Sequence, residues 1–168
     1  MSSNKTLLAY RSKGGATEQA ANTIADVLRI RFKLQVDLVN LGKEPSINIA
    51  SYTNLIVGSG VRTGKIYKEA LDFLQKDLQG KKLAFFICFT YLSALKTNLP
   101  PQYKKLQNRT EIVEAYIKTA LANYPNAQPV FVGATDGCFR VLGKVVAGKI
   151  DPEKTVSLAE QIGKKLYE

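Results

Sequence analysis

The chain has no histidine and no tryptophan, and only two cysteines, among its 168 residues. Without histidine it lacks the commonest metal ligand and the usual general base, which excludes Ser-His-Asp and Cys-His mechanisms. Cys88 and Cys138 do not form a metal or redox pair by spacing, and we expect both to be reduced and buried. Any chemistry is therefore expected to come from a bound cofactor.

Long apolar runs and acidic residues are also scarce. No stretch approaches the roughly 18 apolar residues that a membrane span needs. The short polar segment 1–4 does not resemble a signal peptide, so we expect a cytoplasmic protein. Asp and Glu number 14 against 24 Lys and Arg, giving a net charge of +10. A surface this basic attracts anions, whether phosphates, acidic proteins, anionic lipid or nucleic acid.

Short apolar runs alternate with amphipathic stretches along the chain. The runs predict strands over residues 6–10, 35–39, 55–58, 83–89 and 129–135. Helical spacing of apolar residues predicts helices over 17–32, 67–78, 110–124 and 152–167. This alternation predicts a single α/β domain over 1–168, a three-layer sandwich whose five-stranded parallel sheet has the order 2-1-3-4-5.

An extra segment, 137–150, separates the fifth predicted strand from the last helix. Arg140, Lys144 and Lys149 are interleaved there with apolar residues, which predicts a short amphipathic helix. Such a segment could contact anionic lipid, or a substrate that bears carboxylates. Alternatively it only covers the edge of the fifth strand.

The loop after the first strand reads Arg11-Ser12-Lys13-Gly14-Gly15-Ala16-Thr17. Small residues that lead into a helix offer backbone N–H groups, hydroxyl donors and the positive end of the helix dipole, which suit a phosphate. The loop lacks the Walker pattern and the dinucleotide fingerprint, so it favours a single phosphate monoester. The alternative is an ordinary helix N-terminus built from small residues.

These loops resemble those of the flavodoxin superfamily. Ser12 and Thr17 match hydroxyl positions of its phosphate loop and Gly15 its glycine, although Arg11 replaces the first hydroxyl. The similarity is closest to the flavodoxin-domain subgroup of menaquinone-dependent protoporphyrinogen oxidase. That subgroup has three features found here: the stretch Gly58-Ser59-Gly60-Val61-Arg62-Thr63-Gly64, a fifth strand that ends in Gly133-Ala134, and a basic segment before the last helix.

The resemblance implies FMN as the cofactor. The implied phosphate ligands are Ser12, Lys13, Gly14, Gly15, Ala16 and Thr17. The implied residues along one side of the isoalloxazine ring are Ser59, Gly60, Val61, Arg62, Thr63, Gly64 and Lys65. The implied residues on its other face are Thr90, Tyr91 and Leu92. Tyr91 is the aromatic residue placed to stack on the ring in a chain without tryptophan.

Two functions fit this resemblance. One is an oxidoreductase that oxidises a porphyrinogen-type or other small substrate and passes electrons to a quinone, with possible contact to an anionic membrane. The other is an electron carrier that serves a protein partner. Arg11, Lys13, Arg62 and Lys65 would place positive charge around the flavin, whereas electron-carrier flavodoxins tend to be acidic. We therefore expect a higher flavin potential than in acidic carriers, because positive charge stabilises the anionic reduced form.

Other proteins of this fold class fit less well. A phosphoryl-accepting receiver domain needs an aspartate after the third strand, where this chain has Ser59. A low-molecular-weight phosphatase needs a cysteine at the head of the first loop. A dinucleotide-binding domain needs the glycine fingerprint and an acidic residue after the second strand. Net charge alone, without a motif or a basic stripe, does not support nucleic-acid binding.

Overall fold

A parallel sheet forms the centre of the protein, which a computed structural model describes over residues 5–167. The strands are β1 (Lys5–Arg11), β2 (Gln35–Asn40), β3 (Asn54–Arg62), β4 (Lys65–Ile66), β5 (Lys82–Phe89), β6 (Phe131–Asp136), β7 (Phe139–Val141) and β8 (Lys144–Ala147). Five of them run parallel in the order β2-β1-β3-β5-β6. Counted among themselves, these five have the predicted order 2-1-3-4-5, so the predicted fold class is confirmed.

Helices cover both faces of this sheet. They are α1 (Ala16–Arg31), α2 (Lys68–Phe73), α3 (Leu92–Thr97), α4 (Arg109–Leu121) and α5 (Pro152–Tyr167), with a 3-10 turn at Pro101–Tyr103. Because successive strand side chains point to opposite faces, Leu7 joins the core under α2 and α4, whereas Leu8 joins the core under α1 and α5. The sheet is therefore apolar on both sides, as a buried parallel sheet requires.

The third parallel strand is longer than its apolar run predicts. β3 continues to Arg62 and then pairs antiparallel with β4, with Arg62 opposite Lys65. Thr63 and Gly64 form the two-residue turn and both have positive φ, 51° and 76°. Positive φ at both central positions is typical of a type I′ hairpin, which matches the twist of the two strands. The stretch predicted as a glycine-rich loop is thus mostly strand.

The segment predicted as an amphipathic helix is a β-hairpin, so that prediction was wrong. β7 and β8 pair antiparallel, with a bulge between Phe139 and Arg140. Leu142 and Gly143 form its two-residue turn, with φ of 49° and 79°. Valines at three of the six positions from 141 to 146 favour strand over helix because they are β-branched.

The helices also differ from the periodic pattern in two respects. α2 ends at Phe73 instead of near Leu78, and successive i to i−3 hydrogen bonds follow it, from the amides of Leu74, Gln75 and Lys76. These turns keep Leu74 and Leu78 buried, so the apolar spacing continues without a helix. The polar connection after β5, for which the sequence pattern predicts no helix, contains α3. Among residues 5–167, no helix has the length and apolarity to cross a membrane.

Candidate functional site

A narrow cleft lies at the carboxyl ends of β1, β3 and β5, where the strand order reverses and open α/β sheets bind their ligands. Its volume is about 40 Å³. It is lined by Ser12, Lys13, Gly14, Ala16, Thr17, Gly60, Val61, Tyr67, Cys88, Thr90, Gly137 and Cys138. Eight of these residues belong to the predicted site, and they come from all three predicted loops.

The first loop is closed on itself and leads directly into α1. Ser12 Oγ accepts a hydrogen bond from the Gly15 amide at 3.1 Å. Gly15 has a φ of 91°, a conformation that glycine adopts without strain, and no side chain caps α1. The first amides of an uncapped helix have no intrahelical partners, and they carry the positive end of the helix dipole. The loop therefore presents a compact group of donors that suits an anion.

The floor of the cleft is formed by small buried groups. Thr17 and Cys88 are 2% and 3% exposed. Burial raises the pKa of Cys88 to about 12, although a hydrogen bond with Thr17 opposes the shift. The thiol is therefore protonated at neutral pH and unsuited to be a nucleophile. Both cysteines are free; Cys88 is buried as predicted, whereas Cys138 is only partly buried.

Gly60 allows β3 to approach this floor closely. A Cβ added at Gly60 would lie 2.8 Å from Cε2 of Tyr67 and 3.1 Å from Oγ1 of Thr17. Tyr67 fills the space beside it, and burial raises the pKa of its hydroxyl. The Lys13 ammonium lies 4.9 Å from the centroid of the Tyr67 ring, a cation–π distance. Sequence periodicity places Tyr67 on the buried face of a helix, but the residue precedes α2 and lines the cleft.

Ser59 does not present its side chain to the cleft. Its hydroxyl is completely buried, donates to the Gly60 carbonyl at 2.7 Å and accepts from the Tyr67 amide at 3.1 Å. At the far end of β3, Tyr116 donates to the Gly64 carbonyl at 2.5 Å, and burial raises the Tyr116 pKa to about 12. The Ser59 hydroxyl thus joins β3 to the residue that follows β4, and Tyr116 of α4 fixes the turn of the β3–β4 hairpin to the body of the protein.

The four predicted cations are not equivalent. Arg11 Nε lies 3.1 Å from Glu69 Oε1. The pKa of Glu69 is lowered, first by its own backbone amide and also by Arg11, so the pair is ionised and locally neutral. Within residues 5–167, no ion pair involves Lys13, Arg62 or Lys65, and all three side chains are exposed.

The loop after β5 is only partly in the cleft. Thr90 lines it, but Tyr91 is 56% exposed and precedes α3, which begins at Leu92. Arg62, Thr63 and Gly64, in the β3–β4 hairpin, also lie outside the lining. The predicted site therefore divides into a cluster around the first loop and a set of residues at the surface.

One residue that the sequence did not single out for this site comes from the β7–β8 hairpin. A guanidinium nitrogen of Arg140, Nη1, donates a hydrogen bond to the carbonyl of Gly14. A Cβ at Gly15 would lie 2.6 Å from the same nitrogen. The interleaving of basic and apolar residues indicated a functional role for the segment 137–150. No local sequence pattern, however, predicts that Arg140 contacts a loop more than 120 residues earlier in the chain.

Comparison with known families decides the relationship. Residues 7–141 match the family described as "Flavodoxin domain". The chain belongs to the flavodoxin domain family. No curated protein matches the sequence.

Several solved structures share the fold of this flavodoxin domain. Oxidised flavodoxin 1 of Bacillus cereus has a TM-score of 0.58 and 21% identity, with 96% of each chain covered. FMN-bound Fusobacterium nucleatum flavodoxin has a TM-score of 0.53 and 13% identity, over 96% of this chain and 98% of that one. The rubredoxin:oxygen oxidoreductase of Desulfovibrio gigas has a TM-score of 0.58 and 19% identity, and the match covers 97% of this chain and 36% of that one. At these identities the similarity establishes the fold.

Proposed function

We propose that this flavodoxin domain binds FMN at the carboxyl edge of its sheet and transfers electrons through it. The observation that carries the proposal is the Ser12–Gly15 loop, which presents the uncapped N-terminus of α1 at the point where strand order reverses. Family membership and the FMN-bound F. nucleatum flavodoxin support the same cofactor.

The cleft fits the phosphate end of FMN better than its ring. Its volume of about 40 Å³ is far below the few hundred Å³ of a pocket for a whole organic ligand. We therefore place the phosphate at the first loop, on Ser12, Lys13, Gly14, Gly15, Ala16 and Thr17. Val61, Thr90 and Tyr91 would then contact the isoalloxazine ring. When bound, FMN supplies the redox chemistry, and the chain orients it and shields one face.

Titration with FMN tests the proposal, and two glycines provide a matched pair of variants. Gly15 and Gly80 both have positive φ, so alanine strains the backbone at either position, but only Gly15 lies in the first loop. We expect wild-type protein to quench FMN fluorescence and to retain the visible flavin absorption. Gly15→Ala should weaken FMN binding about tenfold or more, a loss comparable to one charge-assisted hydrogen bond.

The control variant is Gly80→Ala, which should lower stability by about 1 kcal/mol but bind FMN as wild type does. A Cβ at Gly80 would contact nothing within 4 Å, so its effect is confined to the strain of its turn. Wild-type protein that binds no FMN and cannot be reconstituted would contradict the proposed function. Equal FMN affinities in the two variants would place the phosphate elsewhere.

The electron acceptor distinguishes two uses of the flavin. A net charge of +10 suits an acidic protein partner and therefore an electron carrier. The β7–β8 hairpin instead suits an oxidoreductase that acts on a small substrate. Leu142 is 98% exposed at its tip, between Arg140 and Lys144. Apolar and basic groups together fit a porphyrinogen with carboxylate side chains, a quinone acceptor or an anionic membrane.

A single assay separates the two uses. FMN-loaded protein is incubated with protoporphyrinogen and a menaquinone analogue, and porphyrin fluorescence is followed. Catalytic turnover that Leu142→Glu reduces supports the oxidoreductase, because that change places an acidic group at the apolar tip. No turnover, together with rapid reduction of the flavin by a reductase protein, supports the carrier.

A further inference from the structure

We propose that Arg140 is a direct ligand of the FMN phosphate, delivered to the first loop by the β7–β8 hairpin. The inference rests on the proposed function and adds a charged ligand that the flavodoxin phosphate-loop pattern does not contain. It assigns the hairpin a role in cofactor binding, whereas the sequence suggested only contacts with lipid or substrate, or cover for a strand edge.

The base of the hairpin is fixed beside the candidate site. The amide of Gly137 donates to the Phe89 carbonyl at 2.8 Å, which holds the start of the segment at the end of β5. At the exit, a Cβ on Gly148 would lie 2.7 Å from the Gly137 carbonyl and 2.8 Å from Cγ2 of Thr90. The hairpin thus begins and ends against the loop after β5, and Arg140 follows the anchored Gly137 by only three residues.

Arg140 reaches from this base to the first loop. Its Nη1 donates to the Gly14 carbonyl and lies against the backbone of Gly15, the residue that precedes α1. The bulge between Phe139 and Arg140 changes the direction of the strand at this point. The guanidinium is therefore held beside Gly14 and Gly15 of the loop that would receive a phosphate, at the margin of the cleft and outside its lining.

The chemistry of the guanidinium fits this position. It carries five N–H donors, and the contact with Gly14 uses one of them. The remaining donors form a planar fork that matches two oxygens of a phosphate, and such charge-assisted bonds are about twice as strong as neutral ones. Two other cations belong to this loop. Arg11 donates to the Ser12 carbonyl at 2.7 Å but is paired with Glu69, and Lys13 lies over the Tyr67 ring. Within residues 5–167, Arg140 is therefore the cation that is bonded to the loop backbone and has no ion-pair partner.

Riboflavin isolates the phosphate interaction, because it has the same ring as FMN and no phosphate. We would measure the dissociation constants of FMN and riboflavin by fluorescence titration for wild type, Arg140→Gln and Arg140→Lys. The matched control is Lys144→Gln, which removes one positive charge from an exposed position of the same hairpin. Circular dichroism and thermal unfolding verify that all variants fold.

We expect Arg140→Gln to weaken FMN binding about 10- to 100-fold, which corresponds to one lost charged hydrogen-bond pair. Riboflavin binding should change less than about twofold, and Arg140→Lys should fall between wild type and Gln because it keeps the charge and loses the fork. Lys144→Gln should keep FMN affinity within about threefold of wild type, the range of a screened surface charge.

Two results would overturn the inference while the proposed function stands. Equal losses of FMN and riboflavin in Arg140→Gln would mean that Arg140 only maintains the shape of the loop. Equal FMN affinities in Arg140→Gln and Lys144→Gln would mean that Arg140 acts only through the net charge of the hairpin. Wild-type protein that binds neither flavin would instead contradict the proposed function itself.

Discussion

Gly58→Ala should lower the free energy of unfolding by about 1–3 kcal/mol, the cost of inserting a methyl group into a filled core. Gly58 lies inside β3 opposite Phe86 of β5. A Cβ at Gly58 would lie 2.2 Å from Cζ of Phe86, and this ring is completely buried. The ring cannot withdraw without displacing the core beneath α1 and α5, so the added atom strains the whole layer.

A compensating substitution tests this reason directly. Phe86→Leu shortens the opposing side chain, so on its own it should destabilise by leaving a cavity. In the double variant the new methyl occupies part of that space, and the combined loss should be smaller than the sum of the single losses by at least about 0.5 kcal/mol. Urea unfolding measures all three variants, with unchanged slopes as evidence that the unfolded state is not altered.

Gly14→Ala serves as the control for stability. Its Cβ would approach nothing closer than 3.9 Å, the carbonyl of Cys138, and its φ is not positive. We expect a change within about 0.5 kcal/mol. Additive losses in the Gly58 and Phe86 double variant would show that the two positions are not in steric conflict.

The parallel sheet and its helices were predictable because their signals are local and repeated. The run 83–89 is apolar at every position, which indicates a strand covered on both faces. Asp151 before Pro152 marks the start of α5, and its Oδ1 accepts from the Glu153 amide at 3.0 Å. Such signals involve residues that are close together in the sequence, so they can be recognised without the tertiary structure.

The site was harder to predict because its contacts are not local. In the stretch 58–64, glycine and serine indicate a loop by composition. Pairing with β1 and β5 nevertheless extends β3 to Gly60, and pairing with β4 extends it to Arg62. Tyr67 fits the apolar spacing of a helix, but it precedes the first residue of α2 and packs beside Gly60. The contact between Arg140 and Gly14 joins opposite ends of the chain, and no pattern within either segment contains it.

The flavin potential should depend on the surface cations, whereas the intact Arg11–Glu69 pair should contribute little. Arg11 is paired with Glu69, so its charge is already balanced, whereas Lys13, Arg62 and Lys65 are exposed and unpaired within residues 5–167. Two unit charges about 8 Å apart interact by about 2 kcal/mol at an effective dielectric of 20. For one electron this is a ceiling of roughly 90 mV, and salt reduces it at an exposed site.

Redox titration of the FMN-loaded protein measures this dependence. Lys13→Gln should lower the midpoint potential by some tens of mV at low salt, because the anionic reduced flavin loses a neighbouring positive charge. Glu69→Gln should raise it, because the Arg11 charge is then no longer balanced, and Arg11→Gln should lower it, because the Glu69 carboxylate is then unbalanced. Lys118→Gln, an exposed substitution on α4, is the distant control and should leave the potential unchanged.

High salt should reduce all these shifts in midpoint potential, because it screens charges at the surface. A potential as low as that of acidic flavodoxins, insensitive to Lys13 and Glu69, would contradict an electrostatic origin.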